Sequence, residues 1–213
     1  MKPNATTLSA LAAACLIVLL PGCSVLGGAQ RDPVTIYSPQ IDIPADPSWP
    51  MAHWQLVVLK PTAARVVDSP RIAVRPTPDE IQVYKGVTWS QPATDLLESL
   101  LLRGFEDSGK IESVARPGTG IRQDYKLLTD VRRFESDYAG ASTPSALMEI
   151  NAKLVHATDQ RVVASRTFLQ REPANSAEVG AVVAAFERGL GKLGAEMVGW
   201  TLATGEADVQ RKP

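Results

Sequence analysis

A run of thirteen residues, Leu8 to Leu20, is apolar or small throughout and ends at Leu20-Pro21-Gly22-Cys23. This junction decides how much of the chain is left to fold. Thirteen residues suit the core of a signal peptide and fall short of the roughly 20 that a membrane-spanning helix needs. Lys2 supplies a positive charge ahead of the run, and no acid precedes Cys23. Leu20, three places before the cysteine, and small Gly22 beside it have the form of a lipobox. At such a box a bacterial precursor is acylated on cysteine and cut immediately before it. Pro21 is a less usual middle residue. Residues 1–22 then read as a lipoprotein signal peptide and Cys23 as the lipidated first residue of the mature chain. An ordinary secretory signal cut elsewhere would leave Cys23 a plain thiol.

Cysteine usage agrees with acylation. Cys15 lies in the segment to be discarded, so Cys23 stands alone in the mature chain and no internal disulfide can form, although the compartment would permit one. Two or more acyl chains, palmitate among those expected, make a stable anchor, because each buried methylene contributes about 0.8 kcal/mol and one chain is marginal. Ser24 stands where an aspartate would signal inner-membrane retention in enteric bacteria, which favours the periplasmic face of the outer membrane. The mature chain keeps 191 of the 213 residues, with 21 basic and 23 acidic side chains. That is length enough for one domain with a substantial core. Charge so balanced, without a basic cluster, argues against a nucleic-acid partner.

Residues 23–50 read as a lipidated N-terminus and tether. Gly27, Gly28, Pro33, Pro39, Pro44, Pro47 and Pro50 oppose helix and central strand alike. A proline-rich spacer extends by about 3.1 Å per residue. Val34 to Tyr37 can form a short edge strand, which would dock part of the tether, and Trp49 is too apolar for a free linker, so it is expected to pack on the domain.

The domain proper is expected over residues 51–203, followed by a polar, disordered tail at 204–213. Strands are predicted at 54–59, ended by Pro61, and at 71–75, between Pro70 and Pro76; the loop over 78–91 holds Val83, Tyr84 and Trp89. Pro92 suits the first turn of a helix capped by Ser90 or Gln91, with Leu96, Leu97, Leu100, Leu101 and Phe105 on one face and Gly109 as its stop. Further strands are predicted at 111–115, 125–134, 146–156 and 161–169. In the third of these Met148, Ile150, Ala152 and Leu154 alternate with Glu149, Asn151 and Lys153, the pattern of a sheet covered on one face. The short Thr158-Asp159-Gln160 connection predicts a hairpin. A last helix begins near an Asn175–Glu178 capping box and carries Val179, Val182, Val183, Phe186, Leu190, Leu193 and Met197 on one face. Gly189, Gly191 and Gly194 interrupt it, each costing up to about 1 kcal/mol, which close packing on the sheet would repay. The order β-β-α-β-β-β-β-α predicts an α+β domain, a mostly antiparallel sheet with two helices packed on one face.

Catalytic constellations are missing from the sequence. His53 and His156 lie about 100 residues apart without a spaced carboxylate or cysteine partner, and no metal-ligand spacing, nucleophile elbow, phosphate loop or dinucleotide fingerprint occurs. Asp130 and Glu135 make no convincing catalytic pair. The reading is no enzyme, no catalytic residue, no metal and no cofactor. Tyr84, Val87 and Trp89 are the candidates for a partner-contact surface, with a lid over the core as the equal alternative.

Trp54-Gln55-Leu56-Val57-Val58, Arg71-Ile72-Ala73-Val74-Arg75-Pro76 and Gly86-Val87-Thr88-Trp89-Ser90 resemble, in order and spacing, the ABC-type transport auxiliary lipoprotein family. So do Phe105-Glu106-Asp107-Ser108-Gly109, Val162 to Phe168, Val182 to Phe186 and Trp200. Val67-Asp68-Ser69 and Val83-Tyr84 depart from the family's usual residues, and neither departure touches a catalytic group. The resemblance implies an outer-membrane lipoprotein, facing the periplasm, that serves an ABC-type lipid or solvent transport system. Its expected partners are a periplasm-spanning mammalian-cell-entry (MCE) protein and that protein's inner-membrane transporter, met by docking, with homo-oligomerisation an open question. The alternative is a periplasmic lipoprotein that binds and regulates an envelope enzyme such as a peptidoglycan synthase; fold alone does not separate the two.

Overall fold

The computed structural model describes residues 33–120 and 122–211. Cys23 and its box lie outside the described residues. One compact unit begins at Val34. Its strands are β1 (Thr35–Tyr37), β2 (Ala52–Val58), β3 (Thr62–Ala63), β4 (Ala73–Arg75), β5 (Gln82–Val83), β6 (Val87–Trp89), β7 (Ile111–Ala115), β8 (Tyr125–Asp137), β9 (Ser145–His156) and β10 (Val162–Pro173). The helices are α1 (Ala93–Ser108) and α2 (Val179–Gln210).

The long strand β8 organises the sheet. Along one edge it pairs antiparallel with β9 from Tyr125↔His156 to Asp137↔Ser145, and β9 pairs antiparallel with β10. Along its other edge three short strands attach in succession, all parallel: β2 at Tyr125–Leu127, β3 at Asp130–Val131 and β4 at Ser136–Asp137. Pro61 and Pro70 fall between these pieces, where a residue without N–H cannot continue a ladder. The sheet is therefore mixed, which refines the expectation of a mostly antiparallel one. The long crossover from β2 to its parallel neighbour β7 runs through β3 to β6 and closes with helix α1, since a parallel pair cannot be joined by a tight turn. The α+β class and the two helices stand.

Register shifts between Val131 and Arg133. Before the shift Tyr125, Leu127 and Val131 face the core; after it Phe134 does, and Arg133, Glu135 and Asp137 take the opposite face. One inserted residue thus turns a polar sequence outward without ending the strand. In the core Trp89 meets Phe186 edge-on at 5.2 Å and Phe134 at 6.1 Å, while Phe134 stacks on Phe186 at 4.8 Å.

Both helix starts differ from expectation. Pro92 itself takes the extended cap position (ψ 154°), so Ser90 and Gln91 do not cap α1; Leu96 N–H donates to the Pro92 carbonyl at 3.0 Å. Glu178 is likewise the extended flanking residue of α2 and its side chain makes no cap bond, so the Asn175–Glu178 box does not form. Gly109 closes α1 in the left-handed conformation (φ 60°), as its spacing predicts. The polar tail is also corrected. Helix α2 continues to Gln210 because Asp208 is buried and the Trp54 ring lies where Gly205 has no side chain.

The largest correction concerns the tether. From Val34 the chain is part of the domain, a strap laid over both helices. Ile41 is buried in the core. Ile43 enters between α1 and α2, with its Cδ1 2.6 Å from where a Cβ on Gly104 would stand and closer still to that of Gly194. Trp49 packs as expected, on Gly199, its Nε1 2.6 Å from the position of a Cβ there. Four glycines of α2 are slots for apolar side chains: Gly189 for Met148 of the sheet, Gly194 and Gly199 for Ile43 and Trp49 of the strap, and Gly205 for Trp54, which offsets their cost in propensity; Gly191 instead faces the Asp42 carbonyl and Gly180 has no close neighbour.

Candidate docking surface

Between strap residues 44–49, the α2 face from Ala195 to Ala203 and Arg166 of β10 lies an open groove of about 940 Å³. Trp49 and Trp200 both line it, and Trp49 packs where Gly199 offers no side chain. Trp200 rests edge-on against Phe168 at 5.6 Å, and the Arg166 guanidinium lies over that same ring at 4.6 Å. Arg166 Nη2 reaches Glu196 Oε2 at 3.4 Å, an exposed pair of little energetic weight. The groove is mostly apolar, with the Arg166–Glu196 pair and Asp46 as its charged lining, which suits contact with an apolar side chain or segment.

A second, smaller cleft of about 200 Å³ unites the two histidines, with His53, Trp54, Arg122, Asp124, Tyr125, His156 and Val209 around it. The Tyr125 hydroxyl donates to Asp208 Oδ2 at 3.0 Å, and Arg161 Nη2 meets the same oxygen at 3.0 Å. The Arg161 bond, with lesser help from Tyr125, holds the Asp208 carboxyl below the ordinary aspartate range. Burial, reinforced by Asp208, pushes the Tyr125 phenol well above its ordinary value. His156 Nδ1 lies 2.7 Å from Asp159 Oδ1. So His156 does have a carboxylate partner, three residues on in the β9–β10 turn, contrary to the sequence reading. These bonds fasten the end of α2 to the sheet. Tyr125 is held neutral and Asp208 charged, so neither is poised to exchange a proton near neutral pH.

On the opposite sheet face Glu135 accepts from Arg75 Nε at 2.8 Å and Nη2 at 3.1 Å, and from Arg133 Nε at 2.8 Å. Asp137 accepts from Arg171 Nη2 at 2.8 Å. Three arginines from β4, β8 and β10 thereby cover two buried carboxylates. Asp130, five residues from Glu135, instead accepts the Thr62 hydroxyl at 3.0 Å; the two serve separate contacts.

Of the contact residues proposed from sequence, Trp89 is corrected. It is 2 % exposed and sits in the aromatic core, so it has no side-chain surface to offer. Tyr84 is half-buried with its hydroxyl 3.0 Å from Ser136 Oγ, and Val87 is half-buried against the core. Sequence reasoning missed the Trp49–Trp200 groove. Its signal was Gly199 beside Trp200 on the apolar side of a helix. Among the described residues no three His, Cys, Asp or Glu side chains gather as a metal site, and no helix is long and apolar enough to cross a membrane.

Similarity to known proteins follows the same architecture. A Xanthomonas campestris protein of known crystal structure is 58 % identical, with a TM-score of 0.80, over 83 % of this chain and 99 % of that one. A second crystal structure, of an uncharacterised protein, shares the fold at 14 % identity and a TM-score of 0.61, over 78 % of this chain and 97 % of that one. An uncharacterised protein of Bradyrhizobium diazoefficiens is 26 % identical over 83 % of this chain, which spans only 47 % of that relative's length. The family described as the ABC-type transport auxiliary lipoprotein component matches residues 38–198, from the strap to the groove-lining part of α2. The chain therefore belongs to the ABC-type transport auxiliary lipoprotein family.

Proposed function

We propose that the chain, acylated at Cys23, is held at the periplasmic face of the outer membrane and acts there as the docking component of an ABC/MCE-type lipid transport system. It works by contact and not by catalysis. The observation that carries this reading is the Trp49–Trp200 groove, the largest concavity among those described, open to solvent on a family member built as an auxiliary subunit. An apolar side chain or segment of the mammalian-cell-entry partner would seat between the two rings, with Arg166 and Glu196 fixing its orientation at the rim. Aromatic anchors in pockets of this kind dominate the energetics of protein contacts. Tyr84 and Val87, half-buried beside the strap's first strand, support the fold of this region and offer only their exposed edges to a partner.

The test is co-purification of the acylated chain with the mammalian-cell-entry protein encoded in the same organism. Trp49→Ala with Trp200→Ala should reduce recovery of the partner at least tenfold while the thermal transition stays cooperative. Undiminished recovery would sink the groove as docking site. Cys23→Ala should release the protein from membranes, and unchanged retention and mass would refute acylation.

A further inference from the structure

We propose that the rim formed by β1, β5, β6 and the 64–71 turn is a lipid-facing surface, lying against the bilayer that carries the chain's own anchor. Among the described residues nine large apolar side chains are exposed, and five of them, Val34, Ile36, Val66, Ile81 and Val83, fall on this rim. Ile36, at 65 % exposure, is the most open of all nine.

The rim is continuous through its backbone. Thr35 N–H donates to the Gly86 carbonyl at 2.8 Å, and Ile36 lies opposite Thr88 in the parallel β1–β6 pair. Thr88 Oγ1 and Trp89 N–H both donate to the Pro70 carbonyl at 2.6 Å, which ties β6 to the turn before β4. Val83 lies opposite Ala73 of β4. Interleaved with these apolar residues are Arg65, Arg71 and Lys85, all exposed and without an ion pair among the described residues. Exposed acids lie among them as well: Asp68, which accepts the Thr94 hydroxyl at 2.6 Å, Asp79, and Glu80, which accepts from Gln82. The exposed aliphatic side chains carry the affinity of such a surface for a membrane interface, and arginine and lysine at its edge can reach lipid phosphates.

Position selects the lipid surface over other occupants. This inference rests on acylation of Cys23. Ten residues separate Cys23 from Val34, a leash of at most about 35 Å, and it joins the domain at the rim itself. A tether that short keeps the rim at high effective concentration near the bilayer, so even a weak surface stays engaged. The rim would fix the domain's orientation, leaving the Trp49–Trp200 groove to the periplasmic partner.

The test uses the full acylated chain in vesicles of phosphatidylethanolamine and phosphatidylglycerol. Ile36→Cys and Leu169→Cys each carry an environment-sensitive fluorophore. Leu169 is equally exposed (64 %) but lies on β10, at the far edge of the sheet. Doxyl-labelled lipids should quench the Ile36 probe at least threefold more than the Leu169 probe. Arg71→Glu with Lys85→Glu should bring the Ile36 signal down to the Leu169 level. Equal quenching at both positions overturns the proposal. So does shielding of the Ile36 probe that appears without vesicles and grows with protein concentration, which would make the rim a contact between copies. Intact mass of the same sample reads acylation separately. A chain without acyl groups defeats the anchor, whereas an acylated chain with an unquenched Ile36 probe defeats the rim alone.

Discussion

On the helical side of the sheet Ile43, Trp49 and Trp54 occupy places that Gly104, Gly194, Gly199 and Gly205 leave empty. On the other side Glu135 and Asp137 are buried under Arg75, Arg133 and Arg171. The first side is closed by shape: apolar atoms meet backbone, and the energy comes from area removed from water and close contact. The second is closed by charge. Guanidinium groups replace the water that two carboxylates would otherwise need, and their stems cover the strands. The difference teaches where each side is vulnerable. The shaped side fails when a side chain is added, the charged side when one is taken away.

The largest effect is expected on the charged side. Arg75→Ala with Arg133→Ala leaves Glu135, 2 % exposed, as a buried charge without its guanidinium partners. Breaking a buried pair from one side costs about 3–5 kcal/mol, to be read by urea denaturation. A loss below 1 kcal/mol would show that water or a neighbour replaces the arginines at no cost. Next comes the shaped side. Gly194→Leu drives a side chain into the place of Ile43 and should cost about 1–3 kcal/mol, with the strap exposed to protease between Val34 and Pro50. If stability fell without new cleavage in the strap, the helices and not the strap would have absorbed the strain.

Acid should act through the third contact, at the end of α2. Asp208 is charged more readily in the folded chain than when unfolded, since Arg161 and then Tyr125 stabilise its carboxylate. Glu172, bonded to Lys192 and Arg188, is shifted the same way. Groups with depressed folded values contribute stability above the unfolded value, near pH 4, and lose it as pH falls below that. Wild type should therefore weaken below about pH 4, and Asp208→Asn should show a shallower loss there. Equal acid sensitivity in both would remove Asp208 as a cause. The smallest effect is expected from Lys60→Ala. Its pair with Asp95, at 2.7 Å, is exposed, and such pairs are screened and entropically costly; a measurable fall in Tm would overturn that.

Much of the fold was legible because the signals are local. The alternation over Met148–Leu154 placed β9, the leucines after Pro92 placed α1, and Gly109 placed its end. What failed were signals that depend on what lies across from a segment. Pro39, Pro44 and Pro47 read as a tether, since nothing in their own composition reveals two glycine-notched helices for Ile43 to enter. Trp89 read as a loop aromatic, and its burial was decided by Phe134 and Phe186, from elements 45 and 97 residues away. His156 seemed unpartnered because a turn, and not a helix or strand spacing, brings Asp159 to it.

By itself the sequence determined most of the long strands and the bodies of both helices, the α+β class, the resemblance to the family, and the expectation of an acylated Cys23. Those follow from periodicity, turn chemistry and short motifs, all written within a few residues of one another. Tertiary structure alone decided that β2, β3 and β4 run parallel to β8, that the strap belongs to the domain, and that Trp49 and Trp200 face one groove. Each of these depends on side chains far apart in the chain filling one another's space. Alternation tells a strand that one face is buried, but it carries no record of which neighbour does the burying or in which direction that neighbour runs.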